Sequence, residues 1–353
     1  MLSVQGERRK VFFSPFALCL FINLSNQRHP CSILVTITSI MKNHPNPPAI
    51  FLMGPTASVK TALSVQLAQA LNGEIISVDS ALVFKGMDIG TAKPTLDERG
   101  GVAHHLIDIL DPAESFSTGQ FRKQALDLMD DITRRGKIPI LAGGTMLYFN
   151  VLNSGLAVLP EADPAIRARL DRDLDQLGKE TLHSRLAGID PEAAARIHPN
   201  DPQRVQRALE VYEISGKPLT SFFTEAQAKD IPYRRIKLII APQDRAILHG
   251  IIARRFKQML EQGFIDEVEA LYRRGDLTEK MPSIRAVGYR QAWSYLQGEY
   301  DLETMTEKAV VATRQLAKRQ FTWLRRETDA ANFQTGEPDL LTKVLAEVNA
   351  RLR

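Results

Sequence analysis

Cysteine is nearly absent from these 353 residues: there are two, Cys19 and Cys31, both close to the N-terminus. That excludes a disulfide framework and any cysteine-based zinc site over the rest of the chain. Long apolar runs are also missing. The stretch from Val11 to Leu24, interrupted by Pro15, is too short to cross a bilayer as a helix. There are no internal repeats and no low-complexity tracts. His104, His105 and His198 lack companion ligands at metal-site spacing, so turn or packing roles suit them better. What remains is an ordinary globular composition, 44% hydrophobic and 24% charged, long enough for about two domains. The net charge of +4 and a pI near 9.0 favour an anionic partner, whether nucleic acid, a phosphorylated metabolite or an anionic surface.

The first forty residues differ from the rest. Arg8, Arg9 and Lys10 precede the apolar stretch, which is the order of a signal peptide, but no small-residue cleavage site follows. The preferred expectation is that Met41 is the natural start and that residues 1–47 form an N-terminal extension outside the folded unit.

Residues 49 to 61 read Ala-Ile-Phe-Leu-Met-Gly-Pro-Thr-Ala-Ser-Val-Lys-Thr. An apolar, strand-like run leads into a loop and then into a helical pattern from Thr61 to Leu71. This is the layout of a phosphate-binding P-loop, in which backbone N–H groups and a helix N-terminus face phosphate oxygens. Gly54, Pro55, Thr56, Ala57, Ser58, Val59, Lys60 and Thr61 are the candidate phosphate-binding residues. Lys60 would pair with a phosphate, and the Thr61 hydroxyl would sit on Mg²⁺. The bland alternative is a glycine turn before a helix. One position departs from Gly-x4-Gly-Lys-Ser/Thr: Val59 stands where the pattern has glycine. A β-branched side chain there adds bulk against phosphate, so weaker phosphate binding on an intact fold is expected, by roughly 2 kcal/mol or more.

Strand-like and helical segments then alternate over 48–159. Glu74 to Val78, His105 to Leu110 and Ile138 to Ala142 read as strands, and Phe121 to Arg135 as a helix with Phe121, Ala125, Leu128 and Ile132 on one side. The fold class expected is α/β, a P-loop NTPase-like parallel sheet flanked by helices, with ligands at the carboxyl ends of the strands. Lys60, Asp79 and Thr145 all fall at such ends. Residues 160–235 read as a helical insertion opened by the cap Asp163-Pro164. Residues 236–353 complete the core, with a strand from Ile236 to Ala241 and a mainly helical remainder turning at Gly263, Gly275 and Gly298. Asp79 by itself is a general base, an indirect magnesium ligand or a simple turn aspartate. The basic run from Thr313 to Arg326 places Arg314, Lys318 and Arg325 near one helical face, with Leu316, Phe321 and Leu324 as apolar anchors. A solvated charged face reads equally well.

The combination of stretches resembles the tRNA dimethylallyltransferases, or tRNA isopentenyltransferases. It is carried by Gly-Pro-Thr-Ala-Ser-x-Lys-Thr (54–61), Ser-Val-Asp-Ser-Ala-Leu-Val-Phe-Lys-Gly-Met-Asp-Ile-Gly-Thr-Ala-Lys-Pro (77–94) and His-Leu-Ile-Asp-Ile-Leu-Asp-Pro (105–112). Gly-Gly-Thr-Met-Leu-Tyr-Phe (143–149), Ile-His-Pro-Asn-Asp-Pro-Gln-Arg-Val-Gln-Arg-Ala-Leu-Glu-Val-Tyr (197–212), Arg-Ala-Val-Gly-Tyr-Arg-Gln (285–291) and Thr-Arg-Gln-Leu-Ala-Lys-Arg-Gln-x-Thr-Trp-Leu-Arg (313–325) follow in order. The resemblance implies transfer of a dimethylallyl group from dimethylallyl diphosphate to N6 of adenosine 37, beside the anticodon. The P-loop then holds a diphosphate leaving group instead of ATP.

Asp79 matches the family's base, and Thr145 lies near the target nucleotide. Ser80, Ala81 and Leu82 line the same spot. Gln203, Arg204, Val205, Gln206 and Arg207 match a tRNA-contacting segment, Arg207 also being a candidate diphosphate ligand and catalytic group. Arg285, Ala286, Val287, Gly288, Tyr289 and Arg290 match another. Arg167 is a further RNA candidate, with a solvated helix charge as its alternative, and Arg314 and Lys318 become phosphate contacts. The target base must leave its stack, which costs little in an anticodon loop. The zinc module of some eukaryotic relatives is missing, so the resemblance is to the bacterial, cytoplasmic form, expected as a monomer with Mg²⁺ and no membrane partner. The competing readings are a tRNA-binding protein weakened by Val59 and an ATP-binding small-molecule kinase.

Overall fold

The apolar run before the phosphate-loop sequence is strand β1 (Pro48–Met53), buried at every position. Its side chains alternate between two cores. Ala49, Phe51 and Met53 enter one, while Ile50 and Leu52 enter the other, as a strand covered on both faces requires. The computed structural model describes residues 46–155, 157, 159–225 and 231–352; of the extension expected over residues 1–47, residues 1–45 lie outside them.

Helix α1 (Lys60–Leu71) follows the loop, then β2 (Gly73–Val78). Next come a two-residue β3 (His104–His105), α2 (Thr118–Arg134), β4 (Ile138–Gly143) and α3 (Met146–Ser154). Helix α2 opens with a reciprocal capping box: Gln120 N donates to Ser117 Oγ and Ser117 N to Gln120 Oε1. The third strand expected from His105 to Leu110 is a correction. Leu106 and Asp108 adopt positive φ of 61° and 56°, which ends the ladder after His105. The apolar Leu106 and Ile107 are buried all the same, and that burial gave the segment its strand-like look.

The insertion consists of α4 (Pro164–Leu177), α5 (Lys179–Ile189), α6 (Pro191–Arg196), α7 (Pro202–Ser215) and α8 (Leu219–Glu225). It has its own core, built on Leu170, Leu186, Val205 and Leu209. Asp163 caps α4 by accepting from Ala165 and Ile166 N–H, as its sequence requires. The chain then returns as β5 (Arg234–Ala241), beside β1.

Four helices follow: α9 (Arg245–Glu261), α10 (Phe264–Arg273), α11 (Tyr289–Leu296) and α12 (Leu302–Leu324). A last strand, β6 (Ala331–Gln334), and α13 (Leu340–Leu352) close the fold. Strand β6 falls in the remainder read from sequence as mainly helical. The six strands run in the order β3-β2-β4-β1-β5-β6, every pairing parallel. Helices α2 and α3 cover one face, and α1 and α13 the other. Since β2, β4 and β1 are neighbours, the loops leaving their carboxyl ends meet at one place.

Candidate active site

Three loops build the site. The first leaves β1 at Gly54, where a Cβ would lie 2.2 Å from the Ile240 carbonyl oxygen, so only glycine fits. Ser58 Oγ donates to the Pro55 carbonyl at 2.7 Å. Lys60 Nζ donates to the same carbonyl at 2.5 Å and to Ser58 Oγ at 3.1 Å, closing the loop around its own cation. Burial, aided by nearby Arg255 and opposed by Asp79, pushes the Lys60 ammonium down to about 7.

Val59 occupies the residue before α1 with φ 53° and ψ 17°. Its side chain is half exposed. The departure from the P-loop pattern therefore acts through the backbone as well as through bulk: a β-branched residue is held in the left-handed region, where glycine is at ease. Ala57 shares this conformation, with φ 62°.

The second loop leaves β2. Asp79 Oδ1 accepts from Ala81 N at 2.8 Å and from Leu82 N at 3.4 Å; this fixes the carboxylate at the strand end. The third loop leaves β4. Thr145 N donates to the Val78 carbonyl, and Thr145 Oγ1 accepts from Ser80 N at 3.2 Å. The loops that carry Asp79 and Thr145 are thus directly bonded to each other.

Two connected cavities lie over these loops. The larger, about 470 Å³, has Asp79, Ser80, Ala81 and Thr145 on one wall and Arg285, Ala286, Val287 and Gly288 on another. The smaller, about 200 Å³, is lined by Thr56, Ala57, Ser58, Val59, Lys60 and Thr61 and reaches Asp79 and Leu82. The cation-lined pocket and the larger, partly apolar one share Asp79, Gly144, Arg255 and Gln320 as lining residues, so a carboxylate stands at their common boundary.

A sequence-family model described as IPP transferase matches residues 82–327. A tRNA dimethylallyltransferase of Methylococcus capsulatus is 59% identical over 306 residues, 87% of this chain and 98% of that protein. The chain belongs to the tRNA dimethylallyltransferase family. A second family member, from Nitrosococcus oceani, is 57% identical over 83% of this chain and 93% of its own length. Among solved structures, a full-length tRNA isopentenylpyrophosphate transferase of Bacillus halodurans superposes with a TM-score of 0.65 at 39% identity, covering 86% of this chain and 96% of that one. A eukaryotic dimethylallyltransferase, described as acting on tRNA, superposes with a TM-score of 0.72 at 29% identity over 86% and 77% of the two chains.

In this dimethylallyltransferase-family fold, not every residue singled out by sequence reaches the cleft. Tyr289 is buried beneath it, its hydroxyl donating to Glu267 at 2.5 Å, and Arg290 is exposed outside the cavity lining. Arg207 donates to Glu210 Oε2 at 2.6 Å and to the Pro160 carbonyl at 2.7 Å. Arg167 donates to Glu210 Oε1 at 2.9 Å. Both arginines brace the insertion around a buried carboxylate, and neither lines either cavity. Gln203 and Arg204 are exposed on α7, Val205 is buried in the insertion's core, and Gln206 donates to Asp171. On α12, Lys318 is exposed and Arg314 half-buried.

Two cavity-lining residues were given no role in the sequence analysis. Arg255, from α9, lines both cavities, and burial lowers its guanidinium against the pull of Asp79. It lies on the stripe Leu248, Ile252, Phe256, Met259 that α9 buries, and an arginine on a buried helical stripe is the signal that would have exposed it. Gln320 on α12 is the other, buried between the first and third loops.

Proposed function

We propose that the chain transfers a dimethylallyl group from dimethylallyl diphosphate to N6 of adenosine 37, beside a tRNA anticodon, and releases diphosphate. The observation that carries this reading is the junction of the two cavities: Lys60 and Arg255 on the loop side, Asp79 and Thr145 on the other. Diphosphate in the smaller cavity meets backbone N–H groups, the start of α1 and two cations, which stabilise the charge that grows as it leaves. The bond from the prenyl C1 to the diphosphate oxygen breaks and a bond from C1 to N6 forms. The N6 proton passes to Asp79, held by Ala81 and Leu82 with its carboxylate toward the larger cavity. An adenine amine is a weak nucleophile, so a positioned base matters.

Mg²⁺ belongs to the same proposal. Among the described residues no group of three or more His, Cys, Asp or Glu is arranged to hold a metal. The Thr61 hydroxyl and the Asp79 carboxylate do line the smaller cavity, and so sparse a set of hard oxygen donors suits an ion held mainly by phosphate and water. Bound there, it would neutralise diphosphate charge.

RNA enters this proposal through the wall Arg285–Gly288 and the basic face of α12, where Lys318 and Arg319 are exposed. Among the described residues no helix is long and apolar enough to cross a membrane. The test is transfer of labelled dimethylallyl to unmodified tRNA by the chain, by Val59→Gly and by Asp79→Asn. Turnover that Asp79→Asn lowers by about 10²- to 10⁴-fold supports the assignment. RNA binding without turnover in both the chain and Val59→Gly would favour a binding protein, and consumption of ATP with a small acceptor would favour a kinase.

A further inference from the structure

Gln320 sits on α12 inside the stretch 313–325 that carries the family resemblance, at a position to which the resemblance gave no role, with 8% of its surface exposed. Its Oε1 accepts from Thr56 N in the phosphate loop at 2.9 Å, across 264 residues of chain. Its Nε2 donates to the Gly144 carbonyl at 2.8 Å, across 176 residues. One amide therefore satisfies a donor from the loop after β1 and an acceptor from the loop after β4. The fit is close: a Cβ on Gly144 would lie 2.4 Å from Gln320 Nε2 and 3.3 Å from the Gly54 carbonyl oxygen.

The line of bonds continues beyond Gly144. Thr145 N is held by the Val78 carbonyl, and Thr145 Oγ1 accepts from Ser80, next to Asp79. Gln320 also lines both cavities, so it stands where leaving group and acceptor must be aligned. A displacement at carbon needs its reacting atoms about 3–3.5 Å apart and in line, and an error of about 1 Å can cost on the order of 10²-fold in rate.

We infer that Gln320 is a positioning residue for prenyl transfer: its amide sets the gap between the diphosphate cradle and the Asp79–Thr145 side. This rests on the proposed function. The amide is engaged by both loops, so its loss acts on alignment more than on either binding event.

The experiment compares the chain with Gln320→Met, which keeps length and apolar volume but loses both bonds, and with Gly144→Ala, whose methyl displaces the amide. Dimethylallyl diphosphate and an unmodified anticodon stem-loop are the substrates, and thermal melting monitors folding. For Gln320→Met the expected result is a kcat about 10- to 100-fold lower, with both KM values within about threefold. Gly144→Ala should reproduce that split, and the double variant should be no worse than the poorer single one, because both changes remove the same bridge. If the variants are folded and kcat is unchanged, or if only KM rises, the inference is overturned while transfer itself stands. Additive losses in the double variant overturn it as well. If neither the unaltered chain nor Val59→Gly transfers anything, the functional reading fails and the inference falls with it.

Discussion

Val59→Gly isolates the one position at which the phosphate loop departs from its pattern. Val59 is held at φ 53° and ψ 17°, and a left-handed conformation costs an L-residue about 1–2 kcal/mol, with β-branched residues at the unfavourable end. Half of the side chain is exposed, so few contacts are lost with it. Glycine returns roughly 0.5–1 kcal/mol of this through the greater freedom of its unfolded chain. The net gain in stability is about 1 kcal/mol, or a rise of about 2 °C in Tm for a chain of this size. Relief of strain and removal of bulk should together strengthen diphosphate binding by about 2 kcal/mol, roughly 30-fold. Calorimetry of inorganic diphosphate and thermal melting measure the two quantities. Val59→Ala separates the causes, because it removes the branch and keeps the positive φ. If strain dominates, alanine recovers less than half of the glycine gain. An alanine variant equal to glycine, or a glycine variant that moves neither quantity, would refute the backbone argument.

Other consequences follow from charge. Lys60 lies near pH 7 in the free protein because it is buried, well below the ordinary lysine value, so its cation is present below that pH and fades above it. Diphosphate favours the cation, so binding takes up a proton; affinity for inorganic diphosphate should fall as pH rises from about 7 to about 9. Lys60→Met should flatten that profile, and calorimetry in buffers of different ionisation heat checks it. At the opposite end of the sheet the buried Glu74 carboxylate receives Arg135, Lys137 and His105, and hydrogen bonding from Arg135 leads in holding it well below the usual carboxylate range. Its contribution is complete above the unfolded carboxylate value, near 4.5, and is lost as pH falls through the depressed folded one. Glu74→Gln should cost about 2 kcal/mol at neutral pH, toward the low side for a buried pair because the arginine and lysine reach solvent, and urea melts between about pH 3 and pH 7 should show a weaker acid dependence. Lys318→Glu should weaken RNA binding and lower the slope of log affinity against log salt by about one, as filter binding over a salt series would show.

Much of the sheet was legible because β1 and β4 carry apolar runs that end at glycine, and β2 and β5 are rich in isoleucine, leucine and valine. Strand β6 does not. Its four residues, Ala-Asn-Phe-Gln, form an edge with alternate positions exposed, and so short a strand takes its identity from pairing with β5. Lys60, Asp79 and Thr145 were legible because each lies in a recognisable stretch that follows a strand's carboxyl end. Arg255 and Gln320 arrive from helices far along the chain, and only tertiary packing brings them in. In the insertion, the partners of the arginines were not legible in the sequence. Arg167 and Arg207 look free in sequence and converge on Glu210 in the fold, because a carboxylate with 1% of its surface exposed demands partners.

The place of β5 has a consequence for biosynthesis. Strand β1 pairs with β4 on one side and with β5 on the other, Pro48 facing Arg234, so one neighbour of the central strand is made only after the whole helical insertion has left the ribosome. Until then the nascent sheet presents an open, apolar edge, and non-local pairing of this kind is slow and prone to aggregation. An insertion that gathers early on its own core brings the distant ends of that long loop closer and shortens the interval of exposure. Substitutions that loosen the insertion, such as at Leu186 or Leu209, should therefore lower soluble yield during synthesis more than they lower the stability of protein already folded.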